Sequence, residues 1–366
     1  MRGSFDNAQQ ALVRQCGNVV GKRQVEQLTV AAASDIDAFY TASAPQPATD
    51  DTLLVLGVDG KGIVMRPDAL REPTRKAAAA KGANCYRTRL ASGEKQGRKR
   101  MATWGPSTTP PRSPPAPRRA HPAISRNAAG PGGRRKGPAA TAKWLIGSVA
   151  STSQQVIAAV FDQAEQRDPT HRRTWIVLVD GARHQLDLIR AEAARRKATI
   201  HILVDLIHVL EYLWKAAWCF YQDADPAAEP WVATHALQIL AGDVDAVTAT
   251  LQTQATSAGL TAQQRHGIDT CIGYLEAKRE FLGYDTALQA GWPIATGVIE
   301  GACRHLVGDR LDITGARWGL HGAEAVLKLR ALVSNGDFPA YWRYHVRQEH
   351  RRIHQARYQQ PPARAA

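Results

Sequence analysis

Two uninterrupted apolar runs stand out along the chain, and each stops at an aspartate followed by a glycine. Leu53-Leu54-Val55-Leu56-Gly57-Val58 ends at Asp59-Gly60, and Trp175-Ile176-Val177-Leu178-Val179 ends at Asp180-Gly181. Runs of this length without polar alternation predict strands buried on both faces, as in a parallel sheet. Asp59-Gly60-Lys61-Gly62 reads as a turn, with Ile63-Val64-Met65 starting a return strand. Residues 200–204 predict another strand. Helical spacing of apolar positions covers residues 7–45, closed by Pro45 and Pro47, and returns at 156–165, 183–197, 206–221, 297–307 and 322–334. Residues 226–290 carry helical patterns alone. Residues 68–100 are basic and polar and read as a helical hairpin or a mobile arm.

Residues 104–140 differ in kind. Nine of the 20 prolines fall between Pro106 and Pro138, among Arg, Ser, Gly and Ala. Such a stretch buries too little surface to offset its ordering entropy, which predicts a disordered linker. A second reading stays open beside it. The Trp104–Pro111 string can be encoded by codons that, in a shifted frame, give an apolar strand sequence, so a pair of compensating frame changes in a GC-rich gene would explain it.

The strand-rich first half followed by alternating strands and helices implies crossovers of fixed hand and parallel pairing in the second half. The expected fold is α/β: a ribonuclease H-like mixed sheet with flanking helices and an all-α insertion. In such a sheet the first and fourth strands lie side by side, which would bring Asp59 and Asp180 together. The expected segments are an N-terminal helical part (1–50), the first part of the core (51–220), a helical insertion (221–290), the final core helices (291–335) and a basic tail (336–366).

Composition changes this picture little. A hydrophobic fraction of 44% supports a packed core. No apolar run reaches the roughly 18 residues of a membrane span, and the polar start Met-Arg-Gly-Ser-Phe-Asp lacks the apolar stretch of a secretion signal. Five scattered cysteines without a C-x-x-C pair suit reduced thiols in a cytoplasm and give no zinc motif. The net charge is +14, but the 12 basic residues between Lys95 and Lys143, a stretch free of Asp and Glu, account for all but two of those charges. Bulk charge is therefore weak support for a nucleic-acid partner.

The candidate chemistry lies in Asp59, Asp180 and Glu300. Two aspartates at strand ends and one glutamate at a helix start could hold two divalent ions about 4 Å apart, the arrangement that activates a water or hydroxyl at a phosphodiester. Each has a plainer reading. Asp-Gly is a common turn signal, and a glutamate in a first helical turn complements the helix dipole. Asp205 and His208 follow the last predicted strand and share a helical face with Glu211. They could form a separate metal site, orient a carboxylate, or be ordinary hydrogen-bonded residues. Trp214 and Trp218 read most simply as core packing. Arg304, His305, Arg310, Arg317 and Trp318 gather after Glu300. They suit phosphate gripping and base stacking, or a mere i,i+4 ion pair of Arg304 with Glu300. The basic tail around Arg343, Arg347 and Arg351 could follow a DNA backbone or be a solvated helix face.

The strings VDGKG at 58–62, LVDG at 178–181, DLIHVLEYLWKAAWCF at 205–220 and GWPIATGVIEGACRHLVGDRLDITGARWG at 291–319 resemble bacterial insertion-sequence DDE transposases of the ISKra type, over residues 10–100 and 140–358. More distantly they resemble mutator-like transposases, whose D-x-x-H signature Asp205 and His208 fit. The resemblance implies a DNA transposase that cuts the ends of its element and joins them to target DNA. It assigns Asp59, Asp180 and Glu300 as catalytic metal ligands for two Mg²⁺ ions, with Mn²⁺ as a substitute. Asp205 and His208 would support them from behind, and Lys61, Arg304, Arg310, Arg317 and Trp318 would contact DNA. The partners implied are terminal inverted repeats, target DNA and further copies of the chain on DNA, in a bacterial cytoplasm at the nucleoid and away from membranes. A stand-alone nuclease of the same fold and an inactive DNA-binding remnant are the alternatives. The chain departs from the family in its short region before Asp59 and in the proline-rich stretch where a third strand is expected, as a truncated or frameshifted copy would.

Overall fold

The computed structural model describes residues 4–43, 52–80, 99–109, 141–295, 297–313 and 315–355, without the side chains of 80, 298–300 and 355. Helices α1 (Phe5–Cys16), α2 (Lys22–Ala31) and α3 (Ile36–Ala42) precede strand β1 (Leu54–Val64) and helix α4 (Glu72–Ala80). Strands β2 (Lys99–Thr109) and β3 (Thr141–Ser148) follow. Then α5 (Ser153–Arg167), β4 (Trp175–Val179), α6 (Arg183–Arg196), β5 (Ile200–Val204) and α7 (Leu206–Ala217) alternate. The rest is helical: α8 (Ala228–Leu240), α9 (Val244–Ser257), α10 (His266–Lys278), α11 (Tyr284–Gln289), α12 (Gly297–Ala302), α13 (Leu320–Asn335) and α14 (Phe338–His350). None of the described helices is long and apolar enough to cross a membrane.

Among the described residues five strands form one mixed sheet in the order β3-β2-β1-β4-β5. β1 runs antiparallel to β2 and parallel to β4, and β5 is parallel to β4. The expected adjacency of the first and fourth strands is therefore present. Leu54–Val58 and all of β4 are buried, as their unbroken apolar runs require when both faces of a central strand are covered.

Two local expectations fail. Asp59-Gly60-Lys61-Gly62 is not a turn: β1 continues straight through it to Val64, paired residue by residue with β2, Asp59 opposite Trp104 and Lys61 opposite Ala102. An Asp-Gly pair signals a turn only when no partner strand offers its backbone better hydrogen bonds. The linker expected from residue 104 likewise begins as a strand. Trp104 to Thr109 are all buried and lie between β1 and β3. Residues 110–140 lie outside the described residues, and with them the rest of the proline-rich stretch.

The reason β2 tolerates its Gly-Pro pair is steric. Pro106 offers no N–H, and the β1–β2 pairing passes from Leu56↔Ser107 to Asp59↔Trp104 around it. Gly105 makes the close approach possible, because a Cβ there would stand 2.6 Å from the Gly57 carbonyl oxygen and 2.5 Å from Val160 Cγ2. Buried arginines fasten the other end of the sheet. Arg173 donates through Nε to the Thr52 carbonyl at 3.2 Å and through Nη2 to that of Leu53, and Asp168 accepts the Trp175 indole N–H at 2.8 Å.

Residues 226–290 are helical as expected. α8 to α11 share one continuous core with β1, β4, β5 and α7, through Val232, Leu251, Ile268 and Leu275 among others. A second core covers the far end of β1. Ile63, Met65, Trp104 and Leu145 meet Leu306, Val307, Leu311 and Trp318 there.

Candidate functional site

Parallel register sets the site. Val58 of β1 pairs with Val179 of β4, and Val179 with Val204 of β5. Each of those residues is followed by an aspartate: Asp59, Asp180 and Asp205. Adjacent strands lie about 4.8 Å apart, so the three acids stand in one row, Asp180 and Asp205 at the carboxyl ends of β4 and β5 and Asp59 beside them within β1.

Asp59 is perturbed by its surroundings. Its carboxyl is pushed up to about 6, first by burial and further by the charge of Asp180. The Gly60 N–H, donated to Asp59 Oδ1 at 2.5 Å, and the nearby His208 and Lys61 pull the other way without prevailing. Asp180 accepts the Ala182 N–H through Oδ1 at 2.9 Å, which shapes the start of α6. Each aspartate thus spends one oxygen on a neighbouring backbone N–H and, among the described residues, keeps the other. Asp205 is buried and caps α7, accepting the Ile207 N–H at 2.9 Å. His208, one turn into α7, is half-buried, with Nδ1 3.6 Å from Glu211.

Glu300 lies in α12, which packs against β1 and β2; its side chain is outside the described residues. Alternate residues of a strand share a face, so Asp59 belongs with Lys61, Ile63 and Met65. Ile63 and Met65 meet Ala302, at the end of α12, in the second core. The helix that carries Glu300 therefore covers the face on which Asp59 stands.

The expected DNA contacts divide. Arg304 and Arg317 are exposed. Lys61 is half-exposed but engaged with Asp312 at 3.2 Å. Arg310 and Trp318 are corrected. Trp318 is 5% exposed, donates its indole N–H to the Leu311 carbonyl at 3.0 Å and packs in the second core. Arg310, 6% exposed, lies over that same ring, 4.5 Å from its centroid, and over Phe5. A buried indole and the guanidinium stacked on it hold the loop after α12 and present no surface to a base. Trp218 is corrected the other way: it is 44% exposed and stacks on Trp214 at the surface instead of filling the core.

Two residues near the acids gave no signal in the sequence. Tyr274, from α10, donates its hydroxyl to the Asp180 carbonyl at 3.0 Å. Gln185 lies 3.9 Å from the Cβ position of Gly60, and its buried Oε1 has no partner among the described residues. A tyrosine inside a long helical stretch looks like any core aromatic; only the packing of α10 on α7 reveals its partner.

Asp35, His345 and Glu349 also converge closely enough to hold a metal ion. Arg352 already fills that place, bonded to both Asp35 oxygens at 2.8 Å and to Glu349. This cluster is an ion-pair latch between α3 and α14. The Asp59–Asp180 pair could hold a divalent cation. It offers two hard carboxylate oxygens, one of them held in a desolvated place where a second negative charge opposes it, and Mg²⁺ prefers such oxygens.

No protein-family model, curated protein or solved structure matches this chain.

Proposed function

We propose that the chain is a DDE-type DNA transposase on a ribonuclease H-like fold, cutting and joining the ends of a mobile element with Asp59, Asp180 and Glu300 as its metal-binding acids. The observation that carries this reading is the meeting of Asp59 and Asp180 on neighbouring parallel strands, with Asp59 pushed up to about 6 beside its partner. The strand order β3-β2-β1-β4-β5, with β2 antiparallel between its neighbours, supports the fold assignment. The four strings of resemblance support the activity.

In this reading Asp59 and Asp180 would bind the metal through the carboxylate oxygens left free by Gly60 and Ala182, with Glu300 reaching them from α12. Two Mg²⁺ ions, when bound, polarise the attacking oxygen and stabilise charge on the departing one. Asp205 fixes the start of α7, and α7 in turn holds His208 beside the aspartates and steadies their negative charge. Arg304 and Arg317 meet the DNA backbone from the exposed end of the α12 region, as charges that position the strand without reading bases.

The test is Mg²⁺-dependent cleavage and strand transfer of DNA carrying the element's ends. Asp59→Asn should lose both while remaining folded; wild-type cleavage by that variant would overturn the assignment. Cleavage without joining by the wild-type chain would point instead to a nuclease.

A further inference from the structure

The all-helical stretch reaches the candidate site through one face of α10. Tyr274 bonds the Asp180 carbonyl, and its ring stacks on Tyr212 of α7 with centroids 3.8 Å apart and planes within 11°. One helical turn further, Lys278 lies across Gly181. Its Cδ and Cε are 3.4 Å from where a Cβ at Gly181 would stand. Gly181 holds a left-handed φ of +86°, a conformation glycine adopts without strain, and its missing side chain leaves the channel the lysine stem occupies. The stem of Lys278 is therefore pinned beside Asp180.

The ammonium at its end is unusual for a half-buried lysine. Among the described residues it has no ion pair and no hydrogen bond. Just after Gly181, Arg183 and His184 are exposed in the first turn of α6, a turn that holds no acidic residue. Cations at a helix N-terminus oppose the helix dipole, so these two also stand where an arriving anion, not the fold, would favour them. Three basic side chains thus flank the loop that carries Asp180. They come from two elements far apart in sequence, and none of them forms an ion pair among the described residues.

We propose that Lys278 is a phosphate-binding residue, delivered by the helical stretch to grip the DNA strand beside Asp180. This rests on the transposase reading above and adds to it a role for residues 221–290: they carry part of the DNA grip. A lysine suits the task as a point charge on a flexible stem, here stiffened against Gly181. The contact is to the backbone, so it is indifferent to base sequence.

The experiment uses the full chain and a 20-base-pair duplex of arbitrary sequence, with affinity measured between 50 and 200 mM salt and Mg²⁺-dependent nicking of supercoiled plasmid followed in parallel. Lys278→Met keeps the stem that packs on Gly181 and removes the charge. It should reduce the slope of log K against log salt by about one and weaken binding about eightfold at 0.1 M salt, the counterion release of a single phosphate contact. Lys278→Arg should restore both. If Lys278→Met loses its fold, Lys278→Gln serves as the neutral variant. A neutral variant that binds with wild-type slope and affinity overturns the proposal, as does an arginine variant as weak as the neutral one. A wild-type chain that nicks plasmid while the neutral variant binds unchanged rejects Lys278 alone; a wild-type chain that neither binds nor nicks DNA removes the transposase reading and this inference with it.

Discussion

Asp59 sits where its own ionisation is opposed. Its folded-state carboxyl, at about 6, lies above the ordinary 3.8, so the folded chain holds this proton more tightly than the unfolded one. The group stabilises the fold below its ordinary pKa, and that contribution is lost as pH rises through 6. Above 6 the ionised carboxylate costs about 2 kcal/mol after allowance for its partial exposure. Asp59→Asn should therefore be more stable than wild type by about that amount at pH 8 in the absence of divalent cations, the difference fading below pH 4. Urea denaturation at the two pH values measures it, and equal stability at pH 8 would show that the carboxylate is not strained there. Saturating Mg²⁺ should raise the wild-type midpoint and leave the variant's unchanged. From the residues alone, the acids at the ends of apolar runs were readable. The burial that perturbs Asp59, and the burial that removes Arg310 and Trp318 from any DNA surface, were not, because both depend on what packs over them.

At the scale of elements, β2 is the instructive case. Its Gly105-Pro106 pair carries the two strongest strand-breaking signals, and it lies in an interior strand of the sheet. The pair fits because Gly105 lets the backbone press on Gly57 and Val160, a contact unseen until β1 and α5 are in place. Gly105→Ala would drive a methyl into both. It should destabilise the fold by about 2 kcal/mol or more and lower the proposed cleavage with it, since β2 holds the extended half of β1 in which Asp59 stands. Thermal denaturation decides: an unchanged midpoint would mean that β2 does not close on β1 as described. Strands β4 and β5 and helices α5, α6 and α13 were legible by contrast. Their apolar spacing is local and agrees with the tertiary packing that they later make.

At the scale of the whole molecule, the two ends of the described chain are tied together. Asp35, at the start of α3, accepts both bonds from Arg352 and lies 2.6 Å from His345 Nδ1. Its carboxyl is lowered to about 2, chiefly by the Arg352 hydrogen bonds and next by His345, against an opposing push from burial. A depressed carboxylate contributes stability above its ordinary pKa and loses it as pH falls through 2. Asp35→Ala should cost about 3 kcal/mol at pH 7, leaving the buried His345 without its partner, with the two chains converging towards pH 2. Denaturation midpoints at pH 7 that coincide would show that the latch does not hold α14. No local pattern announces this latch, since its members are some 300 residues apart and each looks like ordinary surface charge.

The chain's own order of residues determined that β4, the first half of β1 and most of the helices form, and it put an acid directly after two apolar runs and after β5. Those properties are local: they follow from side-chain spacing and from where the apolar run stops. Tertiary structure alone decided that Asp59 lies mid-strand and not in a turn, and that a glycine-proline pair can serve an interior strand. It also decided that one tryptophan is core and another surface, and that a helix from residues 266–278 leans on the Asp180 loop. The physical reason is common to all four. Hydrogen-bond partners, desolvation and steric contact are supplied by segments distant in sequence, and these outweigh local preference whenever the two disagree.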